Sequence, residues 1–374
     1  MRLFSNLTID YISKRKVGYI ISGSLIIISI LSFILHGLEL GIDFKGGTEI
    51  AVKFEKPISI SQVRQSLNNT GLGALEIKTF GGETGVLIRT ELQNIPAQVA
   101  PKFFLKVEES FKKLNDSLSF SVAEKSENSI VYAFGNDSLA SLANDKATAE
   151  GFQTSLEGNK VSVRVAISDL LKEILEEKIP DNSFKIQKED LVGPKIGKEL
   201  KFNAVIAVTL ALLVILIYLG FRFKLIFAAG AVIAAFHDVI ITLGAFSVLT
   251  FLFPTLNLEI SISVIAAFLT LVGYSINDTV IVFDRIREYL KIHKTAPIEE
   301  NINKAINRTM SRTVITSATT LFTVFVLLIL GGEVLRAFAF TLFFGIVVGT
   351  YSSIFVASAI VYDYSQKYNK KIEF

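Results

Sequence analysis

The sequence contains no cysteine, which excludes disulfides, thiolate chemistry and any cysteine-based metal site. Histidine is nearly absent as well. His36, His237 and His293 are too few and too scattered to build a His-rich metal cluster. Charge is scarce: 20% of the 374 residues are charged and 51% are hydrophobic, a balance tilted away from soluble domains and towards lipid. The net charge of +3, with no basic patch interleaved with aromatics, gives no reason to expect nucleic acid as a partner. No phosphate-binding loop, Gly-x-Ser-x-Gly elbow or His-Glu-x-x-His helix is present, so the chain does not read as an enzyme. Gly46-Gly47 and Gly81-Gly82 read as turn glycines, not as a nucleotide cradle. No cofactor is expected, and any energy used must come from an ion gradient or a partner's ATPase.

What the sequence does have is long apolar runs. A bilayer core takes about 20 apolar residues in helical form. Six stretches qualify, near 17–37, 203–221, 225–247, 260–283, 313–331 and 337–362. The first follows Lys14-Arg15-Lys16 like a signal peptide, but it is too long for one and no small-x-small site follows, so it reads as an uncleaved anchor. Lys and Arg gather at the N-terminus (Arg2, Lys14, Arg15, Lys16), between spans 2 and 3 (Arg222, Lys224) and in the tail (Lys367, Lys370, Lys371). The loop between spans 4 and 5 adds Arg285, Arg287, Lys291, Lys294, Lys304, Arg308 and Arg312. The loop 248–259 has none, and 332–336 has only Arg336. The asymmetry predicts a multi-pass protein of the cytoplasmic (inner) membrane with both termini in the cytoplasm. Residues 1–16 are then a cytoplasmic N-terminus, 17–37 span 1, and 38–202 one large domain outside the cytoplasm. Residues 203–362 carry spans 2–6 with a cytoplasmic loop 284–312, and 363–374 form a cytoplasmic tail.

The outer domain reads as α+β. Thr48–Phe54 alternates like a strand, and Ser59 with Gln62 forms a capping box before apolar Ile60, Val63 and Leu67 at helical spacing. Leu75–Phe80 and Gly85–Thr90 read as a hairpin. Helices near 97–114 and 166–178 and a strand at 183–188 complete a two-layer, ferredoxin-like alternation. The polar, Ser/Asn-rich stretch 115–160 reads either as disorder or as an inserted element.

Ionisable residues inside the spans are the sharpest signal, because each costs roughly 2.5–3.5 kcal/mol at the bilayer centre on insertion scales. His237-Asp238 lie mid-span 3. Asn277-Asp278 lie about two turns inside span 4, and Arg312 opens span 5 from the same side, so Asp278 and Arg312 share a depth at which they can pair. Asp238 is expected roughly 10 Å deeper. Arg312, Thr316, Thr319 and Thr323 fall on one helical face and suggest a hydroxyl stripe leading inward. Two readings stand for these groups: proton or ion handling, or an ion pair that only locks helices together. His237 either takes part in proton transfer or only orients Asp238. Ala337, Thr341, Gly345, Gly349 and Ser353 recur every four residues and read as close helix packing, as do Gly230, Ala234 and Asp238. Asp284-Arg285 open a mixed-charge helix along the cytoplasmic interface.

Several motifs resemble those of the SecD/SecF family. Gly41-Ile42-Asp43-Phe44-Lys45-Gly46-Gly47-Thr48, just after span 1, looks like its entry motif, with Asp43-Phe44 favouring the SecF branch. Val192-Gly193-Pro194, His237-Asp238, the run Val272–Val280 into Phe283–Glu288, Arg312-Thr313 and Gly349–Ser353 fit as well. The resemblance implies a membrane all-α six-helix bundle, half of a resistance-nodulation-division transporter, bearing the extracytoplasmic ferredoxin-like domain. The sequence departs from the family pattern in that domain by an insertion near 93–160. It implies an accessory subunit of the Sec protein translocase, partnered by SecD and the Sec channel subunits. Such a subunit uses the proton gradient to promote export of unfolded secretory polypeptides, with Asp278 and Arg312 as its proton-linked residues. A small-molecule exporter half and a non-conducting scaffold of the translocon are the alternatives.

Overall fold

The computed structural model describes residues 7–68, 70–114 and 119–367. Arg2, Lys370 and Lys371, used above to orient the chain, lie outside the described residues. Along the chain run α1 (Arg15–Leu35), α2 (Ile42–Lys45), β1 (Gly47–Phe54), α3 (Ile60–Leu67), β2 (Leu75–Thr79) and β3 (Gly85–Thr90). Next come α4 (Ala100–Leu114), β4 (Phe120–Lys125), β5 (Ser129–Phe134), α5 (Asp137–Ala149), β6 (Gln153–Glu157) and β7 (Lys160–Arg164). Then follow α6 (Ile167–Lys178), β8 (Phe184–Val192), α7 (Pro194–Arg222), α8 (Leu225–Leu252) and α9 (Ile262–Ile292). The chain continues through α10 (Ile298–Leu330) and α11 (Gly332–Ser352), and a π-helical turn (Ser353–Ala357) leads into α12 (Ser358–Lys367). Two compact units result: Lys45–Gly197, and the residues up to Phe44 together with those from Lys198.

The unit Lys45–Gly197 is α+β. Its first sheet has the order β2-β3-β1-β8 with every pair antiparallel. With α3 after β1 and α6 before β8, this is the ferredoxin-like order that the alternation predicts. Ser59 caps α3 by accepting from the Gln62 amide at 3.2 Å. Within the polar stretch after β3, β4, β5, β7 and β6 form a second antiparallel sheet, inserted between β3 and α6. Its strands alternate buried Ile130, Tyr132 and Phe134 with less buried neighbours, a period-2 pattern that the surrounding Ser and Asn mask in composition. Phe111 of α4 meets Tyr132 and Phe134 edge-on, at 5.3 and 5.5 Å between centroids, and joins the sheet to the common core. Burying a ring of this kind contributes roughly 1.5–3 kcal/mol.

In the other unit, six helices among the described residues are long and apolar enough to cross a membrane. Helices satisfy their own backbone in hydrocarbon, which is why apolar runs of this length fold this way. Both α9 and α10 extend beyond their apolar stretches, so residues 298–312, read above as loop, are helical. The helices differ in how they are covered. Much of α8 is buried, whereas Phe202, Val205, Leu213, Ile217 and Phe221 of α7 stand exposed, a surface suited to acyl chains. On α1 the buried residues are Gly18, Ser22, Ser29 and Ser32, a small-residue face. Ser32 and Ser247 share a hydrogen bond of 2.7 Å, and a methyl group on Gly244 would overlap Ser29. Gly345 approaches Leu271 with equally little room, which bears out the packing role of the span 6 small residues.

Candidate functional site

Helices α8, α9, α10 and α11 meet around two buried carboxylates. Asp238 on α8 is 1% exposed and Asp278 on α9 is 6% exposed. The Asp238 Oδ2 accepts from Ser275 Oγ at 2.5 Å and Ser352 Oγ at 2.8 Å, and its Oδ1 lies 2.9 Å from His237 Nδ1. Asp278 accepts from Thr313 Oγ1 on Oδ1 and from Ser353 Oγ on Oδ2, both at 2.7 Å. Consecutive serines thus serve the two carboxylates separately. They sit where α11 gives way to the π-helical turn, and Ser358 Oγ donates to Ser353 O at 2.9 Å inside that turn.

This arrangement changes the expected depths. Ser275, a donor to Asp238, precedes Asp278 by three residues on α9, about 4.5 Å of helical rise. The carboxylates therefore lie about one turn apart rather than the 10 Å that counting along separate spans suggests. Gly349 permits the close approach of α11: a methyl group there would sit 3.2 Å from Ser275 Cβ and 3.4 Å from Asp238 Oδ2.

Arg312 does not pair directly with Asp278. Thr313 turns inward to the carboxylate, and adjacent residues on a helix point about 100° apart. Arg312 is consequently exposed and lines a cavity with Arg222, Arg285 and Arg308. The hydroxyl stripe behaves likewise. Thr316, Thr319 and Thr323 are exposed on the outer face of α10, where Thr319 and Thr323 donate to backbone carbonyls one turn back. The inner face of α10 is Thr309, Thr313 and Ser317, with Ser317 bound to Thr350 Oγ1 at 2.8 Å. Asn277 is also exposed, so the structure gathers Asp238, His237 and Asp278 but leaves Asn277, Arg312 and Thr316 on the outer surface. His237 Nε2 is buried without a hydrogen-bond partner among the described residues.

The Gly-Gly segment has separable parts. Asp43 Oδ2 accepts from the Ile262 amide at 2.8 Å, and Ser261 supplies no side-chain cap to that helix. Asp43 therefore caps α9, the helix that carries Asp278, and its negative charge suits a helix N-terminus. Gly41 donates its amide to Ile260 O at 2.8 Å. Gly46 and Gly47 have φ of 77° and 112°, and a side chain on Gly47 would overlap the Thr90 carbonyl, so both positions demand glycine. At the end of α9, Asp284 is exposed and 3.8 Å from Arg222, and Arg285 bonds Glu288 at 2.5 Å.

Ser352 and Ser353 are the residues that sequence reasoning missed as carboxylate donors. In the sequence they read as part of the Gly349–Ser353 motif, with Ser353 also in the small-residue stripe, and the π-helical turn that aims their hydroxyls has no sequence signature.

Comparison with known proteins fits this architecture. The family model "Protein export membrane protein SecD/SecF, C-terminal" matches residues 171–367, and the SecD/SecF GG motif matches 31–58. The protein translocase subunit SecF of Rhodothermus marinus is 40% identical over 361 residues, covering 96% of this chain and 94% of that one. SecF of Calditerrivibrio nitroreducens is 39% identical over 357 residues, covering 95% and 93%. Among solved structures, SecDF of Thermus thermophilus, described as a translocon-associated membrane protein, superposes with a TM-score of 0.65 at 30% identity. That match covers 96% of this chain but 39% of SecDF. Motifs, helices and relatives agree across nearly the whole chain, which belongs to the SecD/SecF family of protein-export membrane proteins, in its SecF branch.

Proposed function

We propose that the chain is the SecF half of a SecD–SecF pair that uses the proton gradient to promote polypeptide export beside the Sec channel. An accessory role in the Sec translocase follows from the family; the energy source, partner and residues are the proposal. The single observation that carries it is a carboxylate pair buried at membrane depth and held by hydroxyls, with no arginine or lysine bonded to it among the described residues. A carboxylate held this way can take up and release a proton without breaking an ion pair. Asp278 is assigned as the exchanging group, and Asp238 with His237 as its neighbour in the relay. Arg312, Asn277 and Thr316, on the outer face of α9 and α10, supply the polar route by which water and the SecD half approach.

The loop charges support an orientation with both termini in the cytoplasm and Lys45–Gly197 outside it, where an emerging unfolded chain is met. The Asp43 cap on α9 supports a tie between the segment after α1 and the helix carrying Asp278. The match to part of SecDF supports SecD as the source of the other half.

Asp278→Asn in vesicles containing SecD and the channel tests this reading. Export stimulated by the proton gradient is expected to fall to the level seen without a gradient, with assembly intact. Normal gradient-dependent export by that variant would sink the proton mechanism and favour a scaffold.

A further inference from the structure

The ends of α7, α9 and α10 that carry Arg222, Arg285 and Arg308 enclose a cavity of about 450 Å³, within the size range of ligand sites. Its lining holds four arginines, Arg222, Arg285, Arg308 and Arg312, against one carboxylate, Asp284. Arg222 reaches Asp284 only at 3.8 Å, and Arg285 is engaged by Glu288. Arg308 and Arg312 have no ion-pair partner among the described residues. They stand four residues apart on α10, where like charges repel across one helical turn. A cationic cluster of this kind is relieved by an anion, and the guanidinium fork matches phosphate oxygens two at a time.

Part of the wall is apolar: Phe223, Val280 and Ile281 line the cavity, with the hydroxyl residues Thr309 and Ser311 completing it. Its depth is also defined: Arg222 ends the apolar run of span 2, Arg285 follows that of span 4 and Arg312 opens that of span 5. These positions put the guanidiniums at the level of lipid headgroups.

We propose that this cavity binds the phosphate of an anionic phospholipid headgroup, with the arginines on the phosphate and Phe223, Val280 and Ile281 against the glycerol and upper acyl carbons. Free inorganic phosphate shares the charged part of this chemistry but has nothing to set against the apolar wall. The site does not depend on the proton reading, and Arg312 is left intact in every variant used to test it.

The test is thermal unfolding of the full chain in detergent with added phosphatidylglycerol, phosphatidylcholine or inorganic phosphate. Phosphatidylglycerol is expected to raise the melting temperature by a few degrees, phosphatidylcholine and phosphate by much less. The double variant Arg285→Gln/Arg308→Gln is expected to lose the phosphatidylglycerol shift while melting normally in phosphatidylcholine. If it melts low there, Arg285→Lys/Arg308→Lys replaces it, keeping the charge but not the fork, with an expected loss of at least threefold in apparent affinity. Lys291→Gln/Lys294→Gln, which removes equal charge outside the cavity, should keep the full shift. An unchanged shift in the arginine variants, or an equal loss in the lysine variant, overturns the site. A full shift from inorganic phosphate alone, lost in the arginine variant, keeps the phosphate site and overturns the lipid as its source.

Discussion

The two units hold their carboxylates by different means. In the unit Lys45–Gly197, the buried Arg89 bonds Glu49 at 2.5 Å and Glu76 at 3.1 Å, and Lys78 reaches Glu76 at 2.8 Å. Burial alone would push Glu76 up, but the Lys78 hydrogen bond and the charges of Arg89, Lys78 and Lys45 outweigh it and hold it at about 2. That carboxylate stays charged at any ordinary pH. In the membrane unit, Asp238 and Asp278 are bonded by Ser275, Ser352, Ser353 and Thr313, with His237 beside Asp238 and the charge of Arg312 acting on Asp278 without a direct bond. Fixed countercharges suit a structural tie. Hydroxyls suit a group that changes its charge, because a hydroxyl can donate to a carboxylate and accept from the acid.

The contrast can be broken from either side. Arg89→Met removes the cation that Glu49 and Glu76 share, leaving Glu76 to Lys78 and Lys45, and is expected to destabilise the unit Lys45–Gly197 by about 3 kcal/mol. Denaturant unfolding measures this, and a loss under 1 kcal/mol would show that Glu49 and Glu76 do not depend on Arg89. Ser353→Ala removes one of the two donors to Asp278, with an expected cost of about 1.5–3 kcal/mol by the same method. A cost as large as that of Arg89→Met would erase the distinction between the two kinds of site.

Asp169 is an intermediate case. Burial, with Glu189 adding to it, pushes its carboxyl up to about 6 from 3.8, although the Ala166 amide donates to it at 2.8 Å. Because the folded value lies above the unfolded one, the unit Lys45–Gly197 loses stability as pH rises from about 4 to about 6. The loss is expected at roughly 1–2 kcal/mol after allowance for partial exposure. Asp169→Asn should flatten the urea midpoint over that window, and an unchanged slope would rule the assignment out. The smallest effect belongs to Asp43, whose carboxylate meets a helix N-terminus. Asp43→Ala is expected to cost about 1 kcal/mol, seen as faster amide exchange in the first turn of α9.

Much of this was legible in the residues. The apolar runs, the Ser59 cap and the ferredoxin-like alternation are local signals, and each appears where its pattern predicts. Asp238, His237 and Asp278 stood out because charge is costly in an apolar span. The second sheet was harder to see, since its core rests on few positions such as Ile130, Tyr132 and Phe134 among polar neighbours. Span 5 misled for a different reason. The face bearing Arg312, Thr316 and Thr323 and the face bearing Thr313 and Ser317 are both polar, and spacing alone does not say which one turns inward.

Length, hydropathy and motif are properties of contiguous residues, so the membrane spans, the family resemblance and the carboxylates at membrane depth can all be read along the chain. Which residues hold those carboxylates depends on the fold. Ser352 and Ser353 lie more than 70 residues from either carboxylate, and a π-helical turn sends one hydroxyl to each. The rotation of α10 placed Thr313 on Asp278 and turned Arg312 away. Helix rotation is set by packing, where Gly345 and Gly349 let backbones close in, and packing sums over contacts distant in sequence.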